Sequence, residues 1–222
     1  MTVGALVPAA GSGVRLGPGG PKALRLLDGE PLLLHAVRGL RRAADVGPVV
    51  VAAPAAEVDL VRDLLRELDV VVVPGGVERQ DSVRAALAAL PADVDLVLVH
   101  DAARCLTPVV VVERVVAALR GGAEAVVPVL PVADTVKQVD GDRVVATVDR
   151  SALRAVQTPQ GFRRDVLERA HASTGPALTD DAGLVEAAGG RVTTVAGADE
   201  AFKVTRPLDL LLAEALLREG PA

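Results

Sequence analysis

Residues 3–22 have the sequence VGALVPAAGSGVRLGPGGPK. The segment opens with an apolar run, Val3–Pro8, which is typical of a buried strand. A glycine-rich connection follows, and it carries two cations, Arg15 and Lys22. Glycines let backbone N–H groups approach phosphate oxygens at the carboxyl edge of a parallel sheet, where open α/β folds bind ligands. The segment therefore predicts a first βα unit with an anion site, although a flexible surface turn would have the same composition.

On either side of later helices, short valine-rich runs predict strands, and together they favour an α/β fold with a doubly wound, mostly parallel sheet. The further strands are predicted at Val49–Ala53, Val70–Val73, Leu96–His100, Ala125–Val129 and Arg191–Val195. Helices are predicted at Pro31–Ala44, Ala56–Leu68, Glu78–Leu90, Pro108–Arg120, Arg164–Ala172, Asp180–Ala188 and Pro207–Leu217. Pro31 and Pro108 would occupy first helical positions, and Thr107 and Thr179 would be N-caps.

After Pro131 the pattern changes to two alternating runs around Asp140-Gly141-Asp142. Alternation on both sides of an Asp-Gly turn is typical of a β-hairpin. We therefore expect a hairpin arm at about 131–151, inserted in a single domain that spans residues 1–222. The arm is expected to mediate a homodimer, because an isolated two-stranded hairpin is only marginally stable in water.

Composition limits the possible partners of the chain. The net charge is −5 and aromatic residues make up 1% of the chain, so we do not expect a polynucleotide as partner. Charges or glycines interrupt every apolar run well before the ~20 residues that a bilayer requires, so we do not expect a membrane either. The first residues lack a basic segment before an apolar one, and Cys105 is the single cysteine. Both observations favour a cytoplasmic protein without a disulfide or a thiolate metal cluster.

The glycine-rich loop departs from two common nucleotide-binding templates. It has the spacing G-x-G-x-x-x-G, so its third glycine is one position late for the dinucleotide fingerprint, and the Lys-Ser/Thr of a Walker loop is missing. An apolar strand followed by A-A-G-x-G-x-R and then P-K is instead similar to the start of the Rossmann-like nucleotidyltransferases. This similarity implies that the loop binds a nucleoside triphosphate.

Asp101 follows the predicted strand Leu96–His100, where a carboxylate is poorly solvated unless it binds a cation. A Mg²⁺ ligand is the leading interpretation, since Mg²⁺ is commonly held by one or two carboxylates together with substrate phosphates. A helix N-cap or an ion pair with Arg104 remains an alternative. The three histidines, His35, His100 and His171, form no catalytic triad with other residues in the sequence.

Several motifs in order resemble the 2-C-methyl-D-erythritol 4-phosphate cytidylyltransferase family of the non-mevalonate isoprenoid pathway. They are VPAAGSGVR, PKALRLLDGEPLL, GGVERQDSV, VHDAAR, DTVK, TVDR, TPQGF, TDDAG and FKVTRPLDL, and they cover nearly the whole chain. Two positions depart from the family's usual pattern, which has proline at Cys105 and glutamine at Ala23. Neither departure changes a charged group, so we expect only local repacking with the activity intact.

The resemblance implies a role for each motif residue. Arg15 and Lys22 would be catalytic, stabilising the transition state on CTP, and Asp101 would bind Mg²⁺. The predicted nucleotide-binding residues are Ala9, Ala10, Gly11, Gly13, Gly76, Ser82 and Ala102. The predicted polyol phosphate-binding residues are Thr135, Arg150 and Lys203, with Arg104 and Thr205 as weaker candidates.

A phosphate monoester already carries about −1.5 to −2 charges at pH 7, so it needs no general base to act as a nucleophile. This explains why the sequence carries loop cations but no base. Two alternatives stay open, namely an enzyme that uses another polyol phosphate such as ribitol 5-phosphate, and a non-catalytic nucleotide-binding regulator. The two cations and Asp101 argue against the regulator.

Overall fold

The computed structural model describes residues 1–173 and 178–219, so the predicted 1–222 domain includes short segments outside these ranges. Twelve strands are present in these ranges: β1 Thr2–Pro8, β2 Leu26–Leu27, β3 Glu30–Pro31, β4 Val46–Ala53, β5 Val70–Pro74, β6 Val94–Val99, β7 Ala125–Pro131, β8 Val136–Asp140, β9 Arg143–Val148, β10 Arg154–Val156, β11 Gln160–Arg163 and β12 Val192–Ala196. Seven α-helices accompany them: α1 Leu32–Arg42, α2 Val58–Leu65, α3 Arg79–Ala88, α4 Val109–Arg120, α5 Arg164–Ala172, α6 Asp181–Ala187 and α7 Pro207–Glu219.

Eight of these strands form one sheet in the order β10-β7-β11-β6-β1-β4-β5, with β12 paired to β7. The pairs β1–β4, β1–β6, β4–β5 and β7–β12 are parallel. The chain leaves β1 to pair β4 on one side and returns to pair β6 on the other, so the strand order reverses at β1. The prediction of a doubly wound, mostly parallel sheet is confirmed, and such a reversal point is where open α/β sheets bind ligands.

Alternate residues of the central strands pack against helices on opposite faces of the sheet. Ala5 and Val51 contribute to a core cluster that contains residues of α1, α2 and α4. Leu6 and Val50 contribute to a second cluster with residues of α3, α5 and α6. Burial on both faces explains why these strands have continuous apolar runs. No helix within the described ranges is long and apolar enough to cross a membrane.

Two antiparallel strands, β10 and β11, were not expected from the sequence. β11 pairs with both β6 and β7, and β10 pairs with the distal end of β7. The motif TPQGF covers the end of the connection between β10 and β11 and most of β11, and its polar residues and proline hide any alternation. Insertion of β11 between β6 and β7 makes the sheet mixed, and it brings Thr158 next to the end of β6.

The predicted helix N-caps are wrong. The α4 helix begins at Val109 after Pro108, and the Thr107 hydroxyl donates to the Arg104 carbonyl oxygen at 2.8 Å instead. The α6 helix begins at Asp181, and its cap is Asp180, whose carboxylate accepts from the Gly183 N–H at 3.0 Å. Asp180 displaces Thr179 because an acidic cap both accepts the hydrogen bond and favours the positive end of the helix.

The predicted hairpin is confirmed as β8 and β9, which form an antiparallel sheet of two strands. Gly141 has φ 57° at the turn between them, a conformation that favours glycine. The outer valines of this arm, Val139, Val144 and Val145, are 58%, 54% and 51% exposed. Within the described ranges no other strand pairs with β8 or β9, so this chain leaves the apolar side chains uncovered.

Candidate active site

A cavity of about 340 Å³ lies at the carboxyl ends of β1 and β6. Three segments form most of its wall, namely the glycine-rich loop after β1, the connection from β5 to α3, and the loop after β6. The lining residues that the sequence also predicted are Ala9, Ala10, Gly11, Gly13, Arg15, Lys22, Gly76, Ser82, Asp101, Ala102, Lys203 and Thr205. The cavity therefore brings together residues from both ends of the chain.

Gly13 fixes the shape of the first loop. Its φ is 74°, and a Cβ added there would lie 2.9 Å from Lys22 Cα, so both backbone conformation and space require glycine. The Lys22 N–H donates to the Gly11 carbonyl oxygen at 3.1 Å, which closes the loop on itself. This close approach holds Lys22 at the wall of the cavity that Asp101 also lines.

The Lys22 ammonium lies in an electropositive, partly dehydrated position. The pKa of Lys22 is lowered to about 8, chiefly by burial and also by the nearby charges of Lys203 and Arg15, while Asp101 and Asp209 oppose the shift. Four cations, Arg15, Lys22, Arg79 and Lys203, line the cavity with two carboxylates, Asp101 and Glu78, and this excess of positive charge attracts an anionic ligand. The site can therefore hold a polyphosphate.

Asp101 is a buried carboxylate with two cationic partners. Lys203 Nζ lies 2.7 Å from its Oδ2 atom, and Arg79 Nε lies 3.4 Å from its Oδ1 atom. Burial alone would raise the pKa of Asp101, but the charges of Arg79 and Lys203 outweigh burial and hold the pKa well below its usual range. Asp101 is thus an ionised oxygen donor throughout the physiological pH range.

Neutral groups support the Asp101 loop from behind. The Asp101 N–H donates to Thr158 Oγ1 at 3.0 Å, and that hydroxyl lies 3.1 Å from His100 Nδ1. Burial lowers the pKa of His100 to about 4, so its ring is neutral and can accept the Thr158 proton. His100 therefore orients the loop rather than transferring protons to a ligand.

The GGVERQDSV segment builds the opposite wall. The Gly76 N–H donates to Ser82 Oγ at 3.2 Å, which fixes the turn that enters α3. A Cβ at Gly76 would lie 2.2 Å from Asp81 Cβ, so no side chain fits there. Glu78 and Asp81 form a capping box at the start of α3. This part of the cavity wall is therefore formed by closely packed backbone and a short serine side chain.

Lys203 and Thr205 enter the cavity from the segment before α7. The Val204 N–H between them donates to the Ala103 carbonyl oxygen at 2.8 Å, which fastens this segment to the Asp101 loop. Thr205 is fixed in turn by a hydrogen bond from its N–H to Asp209 Oδ2 at 2.7 Å. A single lysine next to a strand gives no local signal of this contact, so the sequence suggested Lys203 only by resemblance.

Three predicted residues do not line this cavity. Arg104 turns away and donates to the carbonyl oxygens of Ala201 and Val156 at 2.7 and 3.0 Å. Thr135 and Arg150 are exposed on the arm, where the Arg150 guanidinium donates to the Ala133 carbonyl oxygen. Arg104 ties the Asp101 loop to two neighbouring segments, while the arm residues face solvent in the single chain.

Arg79 was missed by sequence reasoning, although it lines the cavity and contacts Asp101. Burial alone would lower the pKa of Arg79, but the carboxylates of Asp181 and Asp101 outweigh burial and raise it. The sequence did offer one indication of its place at the cavity, because Arg79 directly follows Glu78 at the predicted start of a helix, after Gly75 and Gly76. The Asp181 contact, by contrast, is distant in sequence and has no local pattern.

Cys105 is buried in a third core cluster that also contains Leu16, Leu32 and Val204. Burial raises the pKa of the Cys105 thiol to about 12, so it packs as a small apolar group. Proline at this position would be of similar size. Local repacking without loss of activity therefore stays the prediction for this departure from the family's usual proline.

Comparison with known proteins identifies the family of this chain. A model of the family described as 2-C-methyl-D-erythritol 4-phosphate cytidylyltransferase (IspD) matches residues 3–219. A protein of that name from Frankia casuarinae is 62% identical over 97% of this chain and 81% of the relative. Another, from Saccharopolyspora erythraea, is 60% identical over 98% of this chain and 100% of the relative.

Solved structures give the same answer. The 2-C-methyl-D-erythritol 4-phosphate cytidylyltransferase of Thermus thermophilus is 41% identical, with a TM-score of 0.83 over 98% of this chain and 100% of that one. A 4-diphosphocytidyl-2C-methyl-D-erythritol synthase from Anaerococcus prevotii is 27% identical, with a TM-score of 0.85 over 98% of both chains. The chain belongs to the 2-C-methyl-D-erythritol 4-phosphate cytidylyltransferase family.

Proposed function

We propose that this protein transfers the cytidylyl group of CTP to 2-C-methyl-D-erythritol 4-phosphate and releases pyrophosphate, a step of non-mevalonate isoprenoid biosynthesis. The observation that carries the proposal is the single cavity that Arg15, Lys22, Asp101 and Lys203 line together. Two polyanions must meet there, and the cations offset their repulsion. The family to which the chain belongs gives the identity of the two substrates.

The reaction needs positioning and charge more than proton transfer. A phosphate oxygen of the acceptor attacks the α-phosphorus of CTP, a new P–O bond forms, and the bond to the bridging oxygen breaks. Pyrophosphate leaves with that electron pair, so no base is required. Arg15 and Lys22 are placed to stabilise the charge that develops on the α-phosphate and the leaving group.

The small backbone walls of the cavity suit the nucleoside. We assign the cytosine and ribose to the surface formed by Ala9, Ala10, Gly76 and Ser82, with Gly11 and Gly13 next to the triphosphate and Ala102 beside the ribose. A Cβ at Gly75 would lie 2.7 Å from Ala10 Cβ, so the two loops approach closely. A narrow space of this kind favours a pyrimidine over a purine.

We further propose that Asp101 contributes one oxygen to a Mg²⁺ ion that CTP carries. Within the described ranges there is no group of three or more His, Cys, Asp or Glu side chains suited to a metal, so we assign one ligand to Asp101 and the other ligands to the nucleotide and water. That donor set is characteristic of Mg²⁺. When bound, the ion would neutralise phosphate charge, while Lys203 shares the Asp101 carboxylate.

Pyrophosphate release from purified protein tests the activity. We expect release with CTP and methylerythritol phosphate together, and little with CTP alone. Ribitol 5-phosphate in place of methylerythritol phosphate tests whether the protein is the related enzyme that uses another polyol phosphate. A higher rate with ribitol 5-phosphate would identify that compound as the substrate. If the protein binds CTP but releases no pyrophosphate with any acceptor, a non-catalytic nucleotide-binding regulator would be favoured.

We place this reaction in the cytoplasm of the cell. Cys105 is a free thiol buried in the core, which is compatible with a reducing compartment. Detection of the tagged full-length protein in a soluble cytoplasmic fraction, with an extracytoplasmic marker as control, checks the location.

We also propose that the protein is a homodimer in which the arm of one subunit completes the cavity of the other. The arm has exposed valines and no pairing strand in the described part of its own chain. Thr135 and Arg150 lie outside their own cavity and could add hydroxyl and guanidinium groups for the acceptor phosphate of the partner. A second subunit would also bury the valines.

Complementation tests arm sharing. Lys22→Ala and Arg150→Ala proteins should each be nearly inactive, but a mixture with subunit exchange should regain about a quarter of the wild-type activity, because half the dimers would be mixed and each would hold one intact site. If the arm packs on its own subunit, every site keeps one lesion and the mixture stays inactive. Exchange is verified separately with differently tagged subunits, and Arg143→Ala on the same arm is the control.

A further inference from the structure

A chain of hydrogen-bonded polar side chains runs from the protein interior to Asp101 at the cavity. His171 Nε2 on α5 lies 2.9 Å from Asp181 Oδ1 on α6. The guanidinium of Arg79 on α3 joins Asp181 Oδ2 at 2.6 Å to Asp101 Oδ1 at 3.4 Å. Arg79 and Asp101 line the cavity, whereas His171 and Asp181 stand behind it.

The two residues farthest from the cavity, His171 and Asp181, have almost no contact with solvent. The side chain of Asp181 is 0% exposed and that of His171 is 4% exposed. Burial alone would raise the pKa of Asp181, but the hydrogen bond from His171 and the charge of Arg79 outweigh burial and lower it. A buried ion pair is a weak source of stability, because desolvation cancels much of the attraction. The location of the Arg79–Asp181 pair directly behind the cavity therefore points to a role in the site rather than in stability.

We propose that Asp181 is a positioning residue, which fixes the plane of the Arg79 guanidinium so that Arg79 in turn orients the Asp101 carboxylate. His171 fixes Asp181 in the same way. This inference rests on the proposed cytidylyl transfer, and it adds residues behind the cavity that hold Asp101 in place for that reaction. A guanidinium has several donors in one rigid plane, so a carboxylate on one side determines where the donors on the other side point.

Loss of Asp181 would release Arg79. The guanidinium could then turn to bind both oxygens of Asp101, or a phosphate in the cavity, and either arrangement would displace Asp101 from Lys203. Small displacements of catalytic groups affect the transition state more than substrate binding. The expected effect is therefore on kcat rather than on KM for CTP.

A double-mutant cycle separates positioning from a merely structural tie between helices. We expect Asp181→Asn to lower kcat about tenfold with KM for CTP changed less than about threefold, and the double variant with Arg79→Gln to be no slower than Arg79→Gln alone. Val185→Ala is the matched control, since Val185 is a buried core residue of the same helix. It should lower thermal stability and leave kcat unchanged. Wild-type kcat in Asp181→Asn, or losses that multiply in the double variant, would overturn the positioning role.

Conservative replacement of His171 gives a second test, which serves alone if Asp181→Asn does not fold. His171→Leu should lower kcat several-fold, and His171→Gln, which keeps a donor near the Nε2 position, should restore most of it. Equal kcat in His171→Leu and wild type would contradict the proposal, as would equal loss in the two variants.

The Arg79 Nε–H resonance provides a readout that does not depend on turnover. It should be a resolved, slowly exchanging signal in the wild type and in Val185→Ala, and its chemical shift and exchange rate should change in Asp181→Asn, because the guanidinium that also donates to Asp181 is then free to turn. An unchanged signal in Asp181→Asn would overturn the inference. Absence of pyrophosphate release by the wild type would instead overturn the proposed function, so the two failures are distinguishable.

Discussion

Lys22→Ala is expected to lower kcat by about 10²–10³-fold while the protein remains folded. The side chain is held beside the cavity by the backbone contact of Lys22 with Gly11, and it supplies positive charge where the α-phosphate and leaving group become more negative. Initial rates at saturating CTP and acceptor measure the loss. Arg15→Ala should behave similarly, because it removes the second cation of the same loop.

Arg120→Ala is the matched control for these variants. Arg120 lies on α4, where it pairs with Asp45 at 2.7 Å and does not line the cavity. Its removal should leave kcat near the wild-type value. Near-normal turnover in Lys22→Ala would contradict the assigned role, provided that thermal melting shows the same fold.

The same lysine predicts an alkaline limit to activity. Because burial lowers the pKa of Lys22 to about 8, the free protein loses this charge as the pH rises through that value. On its alkaline side the profile of kcat/KM should therefore begin to fall at about pH 8, whereas kcat should fall at higher pH because bound CTP favours the protonated amine. Lys22→Arg should remove this limb, and a limb that persists unchanged would implicate another group.

Asp101→Asn is expected to abolish Mg²⁺-dependent turnover. The amide keeps the size of the side chain but loses the negative charge that would bind the cation and that now holds Lys203 and Arg79. Added Mg²⁺ should not restore the rate, and Mn²⁺ binding followed by paramagnetic resonance in the presence of CTP should weaken as well. A full response to Mg²⁺ would favour a purely structural ion pair at Asp101.

Asp45→Asn provides a control for this change of charge, because Asp45 is half-exposed and pairs only with Arg120 in the described structure. Its Mg²⁺ response should match that of the wild type. A loss of activity in both variants would point to a general effect of net charge rather than to the cavity.

The sequence by itself contained the doubly wound sheet, the glycine-rich loop and the hairpin. These features depend on periodicity and turn chemistry within a few residues, such as the apolar run of β1 and the glycine at Gly141. The same local patterns brought Arg15, Lys22 and Asp101 into consideration. Resemblance added Lys203, which no local pattern indicates, and it gave the substrates.

Tertiary structure alone revealed how the charged residues are paired. Arg79 meets Asp181, and Lys203 meets Asp101, in each case 102 residues away along the chain. It also revealed β11 between β6 and β7, a strand with too few apolar residues to be recognised, and the replacement of Thr179 by Asp180 as the helix cap. Local sequence encodes the preference of a residue for helix, strand or turn. A buried ion pair, by contrast, forms only where distant segments pack together and remove both charges from water, so that each charge has the other as its partner.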